Sequence, residues 1–541
     1  MSAESVLQSL KHGPMKPQAE KLTPAQKHAV AEYVSGKNFH ASASSRVAGK
    51  CSSTEAHEAV SDLGWNGWGA NVTNTRFQSQ QSSQLSAADV SKLKLRWIFA
   101  FPEQSRMAAQ PAISGNRLYI GSADGNIYSL NVDTGCVYWK SHLEAGIRAA
   151  PSLITSKDQR LAIFADLAAN VYAFDANTGK RIWQKKVEEF PGARISGSPQ
   201  VYENTIYVPV SSVEENTSYD AKYECCRFRG SMVALGLSNG QQIWKTYTIP
   251  DPPKQYKTTA DGRKMFGPAG ASLWSAPIID EKRKRIYIGS GNSYTGIELP
   301  TTDAILAFDL ETGSLLWSNQ VTPGDNWVPG CPRGPLCPEN PGDDYDFGSS
   351  TLLRQVGGRD VILASQKSGV VYALDPEQRG KVIWKTRIGV GNGLLGGIGW
   401  GMAAEGQTVY AAIADINKPD GTPGLYALKI DTGEKIWSTP APQNAGNRAQ
   451  SSAVSAMPGI AFSASFGGHL RAYSTNDGTI VWDFDAVQPF TNTVNGLPGK
   501  GGAFNGGGPA IANGMVVATS GYAFAGGQGG NILLAFSVDG K

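Results

Sequence analysis

Five short segments of this 541-residue chain carry side chains of the kinds that perform chemistry at buried sites. They are VSSVEE (210–215), GASLWSAP (270–277), YIGSGN (287–292), PGDDYDFGSS (341–350) and SQKSGVVYALD (365–375). Their carboxylate and amide oxygens are the hard ligands that Ca²⁺ prefers. A carboxylate beside such a cation stays ionised and can accept a proton, and a lysine can stabilise negative charge that develops on an oxygen. Taken singly, each polar residue could equally be a loop carboxylate, a turn cap or a solvated turn residue.

The elements that must position these residues repeat along the chain. The phrase DANTGKRIW (175–183) returns as NVDTGCVYW, GLSNGQQIW, DLETGSLLW, DPEQRGKVIW, KIDTGEKIW and STNDGTIVW, each after an alternating apolar run. An alternating run, a Gly-containing turn and a second run that ends in Trp predict a β-hairpin. Repeats at a spacing of roughly 40–75 residues predict an array of such hairpins rather than several unrelated domains.

The two ends of the chain each carry half of one more hairpin. NILLAFSVDG (531–540) lacks a second strand, and LKLRWIFAF (93–101) lacks a first. Short apolar segments ahead of the hairpins supply the innermost strands: QPAI, APSL, SPQV, APIIDE, STLL, WGMA, SSAV and GPAI. Pairing of the terminal strands would close an all-β, eight-bladed β-propeller and leave no exposed sheet edge. We expect the tryptophans that end the second strands to pack between blades, outside the active site: Trp97, Trp139, Trp183, Trp244, Trp317, Trp384, Trp437 and Trp482.

Composition narrows the class of protein. The chain has 63 Gly, 30 Pro and only 18% charged residues, which suits an all-β protein with many tight turns. The net charge of +3, without a basic run, argues against nucleic acid as a partner. No apolar stretch approaches the roughly 18 residues that a membrane span requires.

Four of the six cysteines lie in close pairs. Cys225 and Cys226 are adjacent, and Cys331 and Cys337 bracket the segment PRGPL. Such pairs favour disulfides and an oxidising compartment, so we expect a periplasmic or secreted protein. Because MSAESVLQSLKHGPMK lacks the apolar core of a signal peptide, we also expect that the chain begins inside a longer protein.

The A-x-D-x-x-T-G-x-x-x-W repeat and the ring over residues 65–541 resemble the quinoprotein alcohol dehydrogenases, which carry pyrroloquinoline quinone (PQQ). The resemblance implies an enzyme that oxidises alcohols by hydride transfer to the quinone and passes the electrons to a cytochrome c or a quinone. Outer-membrane assembly propellers share the repeat without a cofactor. A non-catalytic scaffold for protein binding is therefore one alternative, and a dehydrogenase of small primary alcohols is another.

The resemblance assigns roles to the five segments. It implies that Glu214 and Asn292 bind a metal ion and that the indole of Trp274 forms the floor beneath PQQ. It also implies that Lys367 lies beside the reactive carbonyl of the quinone and stabilises charge there.

The segment PGDDYDFGSS fits the W-D-Y-D-G-V segment of the family in two registers. Alignment of D-Y-D makes Asp344 the catalytic base, whereas alignment on D-F-G gives that role to Asp346. We prefer Asp344, because Asp346 then falls where lanthanide-dependent relatives carry an extra metal carboxylate. Both aspartates are thus candidate catalytic and metal-binding residues, with calcium as the preferred ion and a lanthanide as the alternative.

Further cofactor contacts follow from position within the repeat. Arg148 and Arg194 precede inner strands, where they could pair with the PQQ carboxylates or could simply be surface arginines. Ser196 and Trp400 occupy similar positions. Many relatives place adjacent cysteines against PQQ, which makes Cys225 and Cys226 candidates, although here the pair follows Glu214 in an insertion.

Within the family, C-C-x-F-R-G, CPRGPLC and WNGWGANVTNTRF (65–77) are most similar to the polyvinyl-alcohol dehydrogenases. This similarity implies secondary alcohols, polyvinyl alcohol among them, as substrates. The insertions at 211–230, 247–270 and 322–347 could shape an open groove for a polymer or a lid over a small alcohol.

Residues 1–40 resemble the C-terminal part of a c-type cytochrome, with Met15 as axial ligand, and residues 41–64 resemble a linker. No C-x-x-C-H motif occurs, so haem cannot be attached covalently to this chain. The alternative is a plain amphipathic helix on a linker.

Overall fold

The structure is a computed structural model that describes residues 3–11, 15–35, 49–51 and 64–541, apart from residues 103, 157–158, 221, 335, 392, 394 and 417. Residues 93–541 form eight four-stranded antiparallel blades, numbered here by the chain order of their first strands. Blades 1 to 4 are Ala112–Ser114, Arg117–Gly121, Asn126–Asn131 and Val137–His142; Ser152–Ser156, Gln159–Ala165, Asn170–Asp175 and Arg181–Lys186; Gln200–Tyr202, Thr205–Ser212, Ser231–Gly236 and Gln242–Tyr247; Ile278–Asp280, Arg285–Gly289, Ala304–Asp309 and Leu315–Gln320. Blades 5 to 8 are Leu352–Val356, Arg359–Ser365, Val370–Asp375 and Lys381–Arg387; Ala403–Glu405, Thr408–Ile413, Gly424–Lys429 and Lys435–Pro440; Ser455–Met457, Ile460–Ala464, His469–Ser474 and Ile480–Asp485; Ala510–Ala512, Met515–Ser520, Ile532–Val538 and Leu93–Ala100.

The remaining elements are short. The helices are Ala3–Lys11, Pro24–Ser35, Gln80–Ser83 and Ala87–Val90, with a 3₁₀ helix at Glu214–Tyr219. The additional strands are Gly64–Trp65, Ala193–Arg194, the hairpin of Lys254–Thr258 with Lys264–Gly267, and the pair Pro489–Phe490 with Gly499–Lys500. Within the described residues, no helix has both the length and the apolar composition needed to cross a bilayer.

The predicted closure of the ring is confirmed. Leu93–Ala100 pairs with Ile532–Val538, and Trp97 lies opposite Ala535 in the register. The first strands of neighbouring blades contact one another around the axis, as expected for the innermost position. Joining the two ends of the chain in blade 8 removes the edges that an open sheet array would expose.

The repeated tryptophans connect each blade to the next. The indole of Trp139 donates a hydrogen bond to the carbonyl of Ala176 in blade 2 at 2.8 Å. Its ring also lies against Gly179, where φ is +71° and a Cβ would come within 2.6 Å of the ring. The Gly of the turn and the Trp that packs on it therefore belong to adjacent blades, which explains why the repeat contains both. The equivalent pairs are Trp97 with Gly135, Trp183 with Gly240, Trp244 with Gly313, Trp317 with Gly380, Trp384 with Gly433 and Trp437 with Gly478.

Residues 64–78, called the strap below, run around the inside of the ring. Trp65 pairs with Ile113 of blade 1, and the Asn66 side chain bonds Leu153 of blade 2. Strap carbonyls accept hydrogen bonds from the first strands of blades 4 to 7, namely from the N–H groups of Ile279, Leu353, Ala404 and Ala456. The buried guanidinium of Arg76 lies 4.8 Å from the ring of Trp68. The strap thus joins the innermost strands of blades 1, 2 and 4 to 7.

The N-terminal region is anchored to the outer edge of blade 1. Cys51 forms a disulfide with Cys136, which the sequence did not predict, and residues 49–51 pair with Val137. The two N-terminal helices pack together through Leu7, Leu10 and Ala31, among others. Most of the predicted linker lies outside the described residues. The cytochrome-like origin of this region, with Met15 as a haem ligand, stays a prediction.

Candidate active site

A pocket lies on the axis against the strap. Three indoles line it, those of Trp68, Trp274 and Trp400. Trp274 and Trp400 meet edge to face with ring centroids 5.5 Å apart, and the Trp400 indole donates to the Asn505 carboxamide oxygen. The cavity wall is therefore flat and aromatic, and two of these indoles are residues that the sequence proposed.

Arginine side chains gather at the same cavity. Arg148 and Ser196 line it, and the guanidinium of Arg148 lies 4.1 Å from the ring of Trp400. The Nε atoms of Arg148 and Arg194 are buried and lack a hydrogen-bond partner among the described residues. Burial, then the charges of Arg148 and Arg106, lower the pKa of Arg194 to about 10. These arginines repel one another and have hydrogen-bond donors to spare. A bound anion would therefore stabilise them.

Two residues beside these arginines, Arg106 and Tyr522, were not identified from the sequence. Arg106 donates to the Tyr522 hydroxyl at 3.1 Å, and both lie close enough to act on Arg148. Burial would raise the pKa of Tyr522, yet the charges of Arg148, Arg106 and Arg194 bring it below its usual value. Positions 106 and 522 meet only because blade 8 joins the two ends of the chain, so no local pattern marks them.

A second cluster, called the acidic cluster below, lies beside Trp274 and consists of Asn292, Asp344, Asp346 and Lys367. The Lys367 ammonium donates to Asp344 Oδ1 at 2.9 Å and to Asp346 Oδ2 at 2.6 Å, and it lies 5.4 Å from the Trp274 ring. The backbone N–H of Asn292 donates to Asp346 Oδ1 at 2.8 Å. All these side chains are buried. The structure thus brings together five of the residues that the sequence proposed.

The side chain of Asn292 has one unused oxygen. Its Nδ2 donates to the carbonyls of Ser293 and Trp327 at 3.0 and 2.6 Å, which fixes the orientation of the carboxamide. Its Oδ1 is buried and has no hydrogen-bond partner among the described residues. An unpaired buried acceptor is costly unless something else, such as a cation, satisfies it.

The structure places Glu215, rather than Glu214, near these charges. Burial and the charge of Asp346 raise the pKa of Glu215 to about 7, while Lys367 and Arg194 oppose the shift. Glu214 and Glu215 open the 3₁₀ helix Glu214–Tyr219, in which successive side chains point in different directions. The Glu-Glu dipeptide was the signal, but the sequence alone did not show which carboxylate faces the site.

Glu214 instead holds the segment that contains the adjacent cysteines. Its carboxylate accepts the backbone N–H groups of Arg227 and Phe228, each at 2.7 Å at its shortest, and the Tyr223 hydroxyl at 2.8 Å. Cys225 and Cys226 are joined by a disulfide and packed in the core. Neither cysteine is among the described residues that line the cavity, so this geometry gives no support to the predicted contact with a cofactor.

Two more aspartates belong to the acidic cluster and were not singled out from the sequence. Asp325 accepts the backbone N–H groups of Asp344 and Tyr345 at 3.1 and 2.5 Å, so it positions the D-Y-D segment. Burial raises the pKa of Asp325 to about 6. Asp303 is fully buried with both carboxylate oxygens unpartnered among the described residues, and burial and then Asp325 raise its pKa well above the usual range.

The protonation of Asp344 depends on the cations around it. Burial raises its pKa well above the usual range, Lys367 lowers it, and Asp346 and Glu215 raise it further. Lys367 therefore offsets only part of the effect of burial on the pKa of Asp344. A hard cation among these oxygens would lower the pKa of Asp344 and make it a base.

Comparisons with known proteins agree with this architecture. A family model described as "Outer membrane protein assembly factor BamB" matches residues 60–330 and 367–494. A polyvinylalcohol dehydrogenase of a Pseudomonas species is 41% identical, covering 98% of this chain and 88% of the relative. One from Sphingopyxis strain 113P3 is 37% identical, covering 100% of this chain and 88% of the relative.

A solved structure supports the fold. The quinohemoprotein alcohol dehydrogenase ADHIIG of Pseudomonas putida HK5 superposes with a TM-score of 0.64 at 17% identity, covering 92% of this chain and 83% of that chain. The resemblance to quinoprotein alcohol dehydrogenases that the sequence indicated is confirmed. The chain belongs to the propeller family that the matching model describes and, by similarity over its whole length, to the polyvinylalcohol dehydrogenase family of enzymes.

Proposed function

We propose that the protein oxidises alcohols, in particular secondary alcohols such as those of polyvinyl alcohol, with PQQ and a metal ion as cofactors. The observation that carries the proposal is the junction of two clusters at Trp274. The guanidinium of Arg148 lies 5.9 Å from the Trp274 ring, and the Lys367 ammonium, which holds the buried carboxylates, lies 5.4 Å from the same ring. A protein-binding scaffold has no use for such a combination of buried charges, because burial of unpaired charge is costly.

The residues around the cavity fit PQQ. The indoles of Trp68, Trp274 and Trp400 offer flat apolar surfaces, and the spare Nε donors of Arg148 and Arg194 suit its carboxylates. When bound, PQQ supplies the two-electron acceptor for the hydride of the alcohol carbon. Arg106 extends the same positive field toward Tyr522.

The acidic cluster fits a hard metal ion. We assign the ligand oxygens to Glu215, Asn292, Asp344 and Asp346. Asn292 Oδ1 is already oriented, and no described residue donates a hydrogen bond to it. In this assignment Glu214 holds the neighbouring segment and Glu215 takes the role that the sequence gave to Glu214. Calcium is our first choice, and a lanthanide is the alternative, because Asp346 adds a further carboxylate. The bound ion would act as a Lewis acid.

Asp344 is our candidate for the catalytic base. Among the described residues, the Lys367 ammonium donates a hydrogen bond to one oxygen of Asp344, its Oδ1. Both oxygens of Asp346 accept hydrogen bonds, one from Lys367 and one from the backbone N–H of Asn292. Asp344 accepts the hydroxyl proton of the alcohol while the carbon loses hydride. Lys367 keeps a positive charge beside the reacting oxygens and limits the movement of both carboxylates.

The setting of the enzyme follows from the disulfides and the family. The described cysteines form three disulfides, a state that persists in oxidising compartments, so we propose a periplasmic or secreted location. The electrons must then leave to an acceptor, for which we propose a cytochrome c or a quinone.

Reconstitution tests the proposal. Purified apoprotein is incubated with PQQ and Ca²⁺, or with PQQ and La³⁺, and reduction of a dye is followed with a secondary alcohol. We expect turnover, and we expect Asp344→Asn to lower kcat by about 10²- to 10⁴-fold while PQQ still binds. The matched control is Asp343→Asn, because Asp343 is the exposed neighbour in the same segment. Absence of both PQQ binding and turnover would overturn the enzyme assignment.

A further inference from the structure

Three insertions of the ring meet in one sector, beside the acidic cluster. They follow the second strand of blade 3, the last strand of blade 3 and the last strand of blade 4. We call their meeting point the lip. It consists of Glu214–Tyr219 with residues 222–228, the hairpin of Lys254–Thr258 with Lys264–Gly267, and residues 330–334 and 336–339, which contain the Cys331–Cys337 disulfide. All three insertions lie between blades 3 and 5, so they border one side of the ring and do not extend around all of it.

The pieces of the lip contact one another directly. The backbone N–H of Cys226 donates to the Phe266 carbonyl at 3.1 Å, and that of Phe266 donates to the Cys225 carbonyl at 2.8 Å. The guanidinium of Arg227 lies 3.6 Å from the Phe266 ring. Lys257 forms a salt bridge with Glu339 at 3.0 Å, which connects the hairpin to the disulfide loop.

The lip is continuous with the candidate active site. Glu215 belongs to its 3₁₀ helix, and the insertion with the disulfide loop leads into the D-Y-D segment that ends in Asp346. The lip therefore adjoins the two chain segments that carry Glu215 and Asp344. The Cys331–Cys337 disulfide closes its loop, and the Cys225–Cys226 disulfide lies in the segment that pairs with Phe266.

Two tyrosines of the lip remain exposed, at 73% for Tyr219 and 41% for Tyr256. They flank the disulfide loop: the Tyr219 ring lies about 4 Å from a Cβ built on Gly330, and Tyr256 lies in the strand that also carries Lys257. A tyrosine offers a flat apolar face together with a hydroxyl. That combination matches a neutral chain of alternating CH₂ and CHOH groups, which needs apolar contact and hydrogen bonds but no charge.

We infer that Tyr219 and Tyr256 bind the segments of a polyhydroxylated polymer that flank the unit being oxidised. The inference rests on the proposed function and names its substrate class. An aromatic surface whose backbone is held by hydrogen bonds and a loop disulfide binds a flexible chain at lower cost in protein entropy than a loose loop would. We expect a short alcohol, which lacks flanking segments, to depend less on either ring.

Steady-state kinetics with matched substrates tests the inference. KM is measured for polyvinyl alcohol and for 2,4-pentanediol with wild type, Tyr219→Ala, Tyr256→Ala and the double variant. We expect the ratio of KM for the polymer to KM for the diol to rise about threefold to tenfold for each substitution. The control is Tyr33→Ala, since Tyr33 is 89% exposed on the helix Pro24–Ser35 and should leave the ratio unchanged.

The outcomes separate the two proposals. Oxidation of the diol with an unchanged KM ratio in the double variant would overturn the role of the lip and leave the proposed function intact. A changed KM for the electron acceptor, with the polymer ratio unaffected, would likewise overturn it and assign the lip to acceptor docking. Titration of apoprotein with polyvinyl alcohol gives a second readout, in which the double variant should bind more weakly than wild type. If wild type oxidises neither alcohol and does not bind PQQ, the proposed function itself fails.

Discussion

The substitution Gly348→Ala tests the role of the aromatic wall formed by the indoles at the cavity, because the indole of Trp274 lies directly on the Cα of Gly348. A Cβ built on Gly348 would lie 1.8 Å from Cη2 of Trp274 and 2.3 Å from Cζ2. Carbon atoms in contact prefer a separation of about 3.5–4.0 Å, so Gly348→Ala must displace the indole by roughly 2 Å. Insertion of a methyl group into a packed site costs about 1–3 kcal/mol. If the displaced indole no longer supports the cofactor, PQQ affinity should fall about fivefold to 150-fold.

Gly399→Ala is the matched control for this substitution. Gly399 precedes Trp400 beside the same cavity, and a Cβ on it would meet nothing within 4 Å. PQQ binding is followed by quenching of tryptophan fluorescence, and thermal unfolding shows whether each variant is folded. Equal PQQ affinities for the two folded variants would refute the conclusion that Trp274 contacts the cofactor.

Three further predictions concern the scaffold and its charges. In urea unfolding, Gly179→Ala should lower the free energy of unfolding by about 1–3 kcal/mol more than Gly514→Ala. The two glycines have similar φ angles, +71° for Gly179 and +73° for Gly514, but of the two only Gly179 lies under a tryptophan. Equal losses would contradict the contact between blades. The pKa of Glu215 is raised from 4.5 to about 7, so the folded apoprotein holds this proton longer than the unfolded chain. The stability of the apoprotein should therefore fall as pH rises from about 4.5 to about 7. Glu215→Gln should reduce this slope in thermal unfolding measured with a chelator and leave the part that is due to other raised carboxylates such as Asp325. Peptide mapping without reduction should find Cys51 linked to Cys136, and free thiols there would disprove the anchoring of the N-terminal region.

The ring was predictable because its signals are local and periodic. Each hairpin carries its own turn and terminal tryptophan, and the unmatched strands at 93–101 and 531–540 could pair only with each other. Asn292, Asp344 and Lys367 were also found from short motifs. Their meeting follows from the ring, since equivalent loops of successive blades face the same axis.

The remaining features depend on contacts that no local pattern records. Arg106 and Tyr522 meet across blade 8, more than 400 positions apart in the chain. Glu214 and Glu215 could be distinguished only by the direction of the 3₁₀ helix that they begin. The segment that became the strap was noted only for its similarity to relatives, because its hydrogen bonds go to backbone groups of distant blades.

The strap also determines how a long substrate can approach. Residues 64–78 bond the first strands of blade 1 and of blades 4 to 7, so they occupy space inside the ring through which a threaded polymer would have to pass. If the lip binds the polymer as proposed, a chain held there presents a bend rather than an end to Asp344. Oxidation would then start in the interior of the polymer, and we expect its rate per hydroxyl to be independent of the number of chain ends.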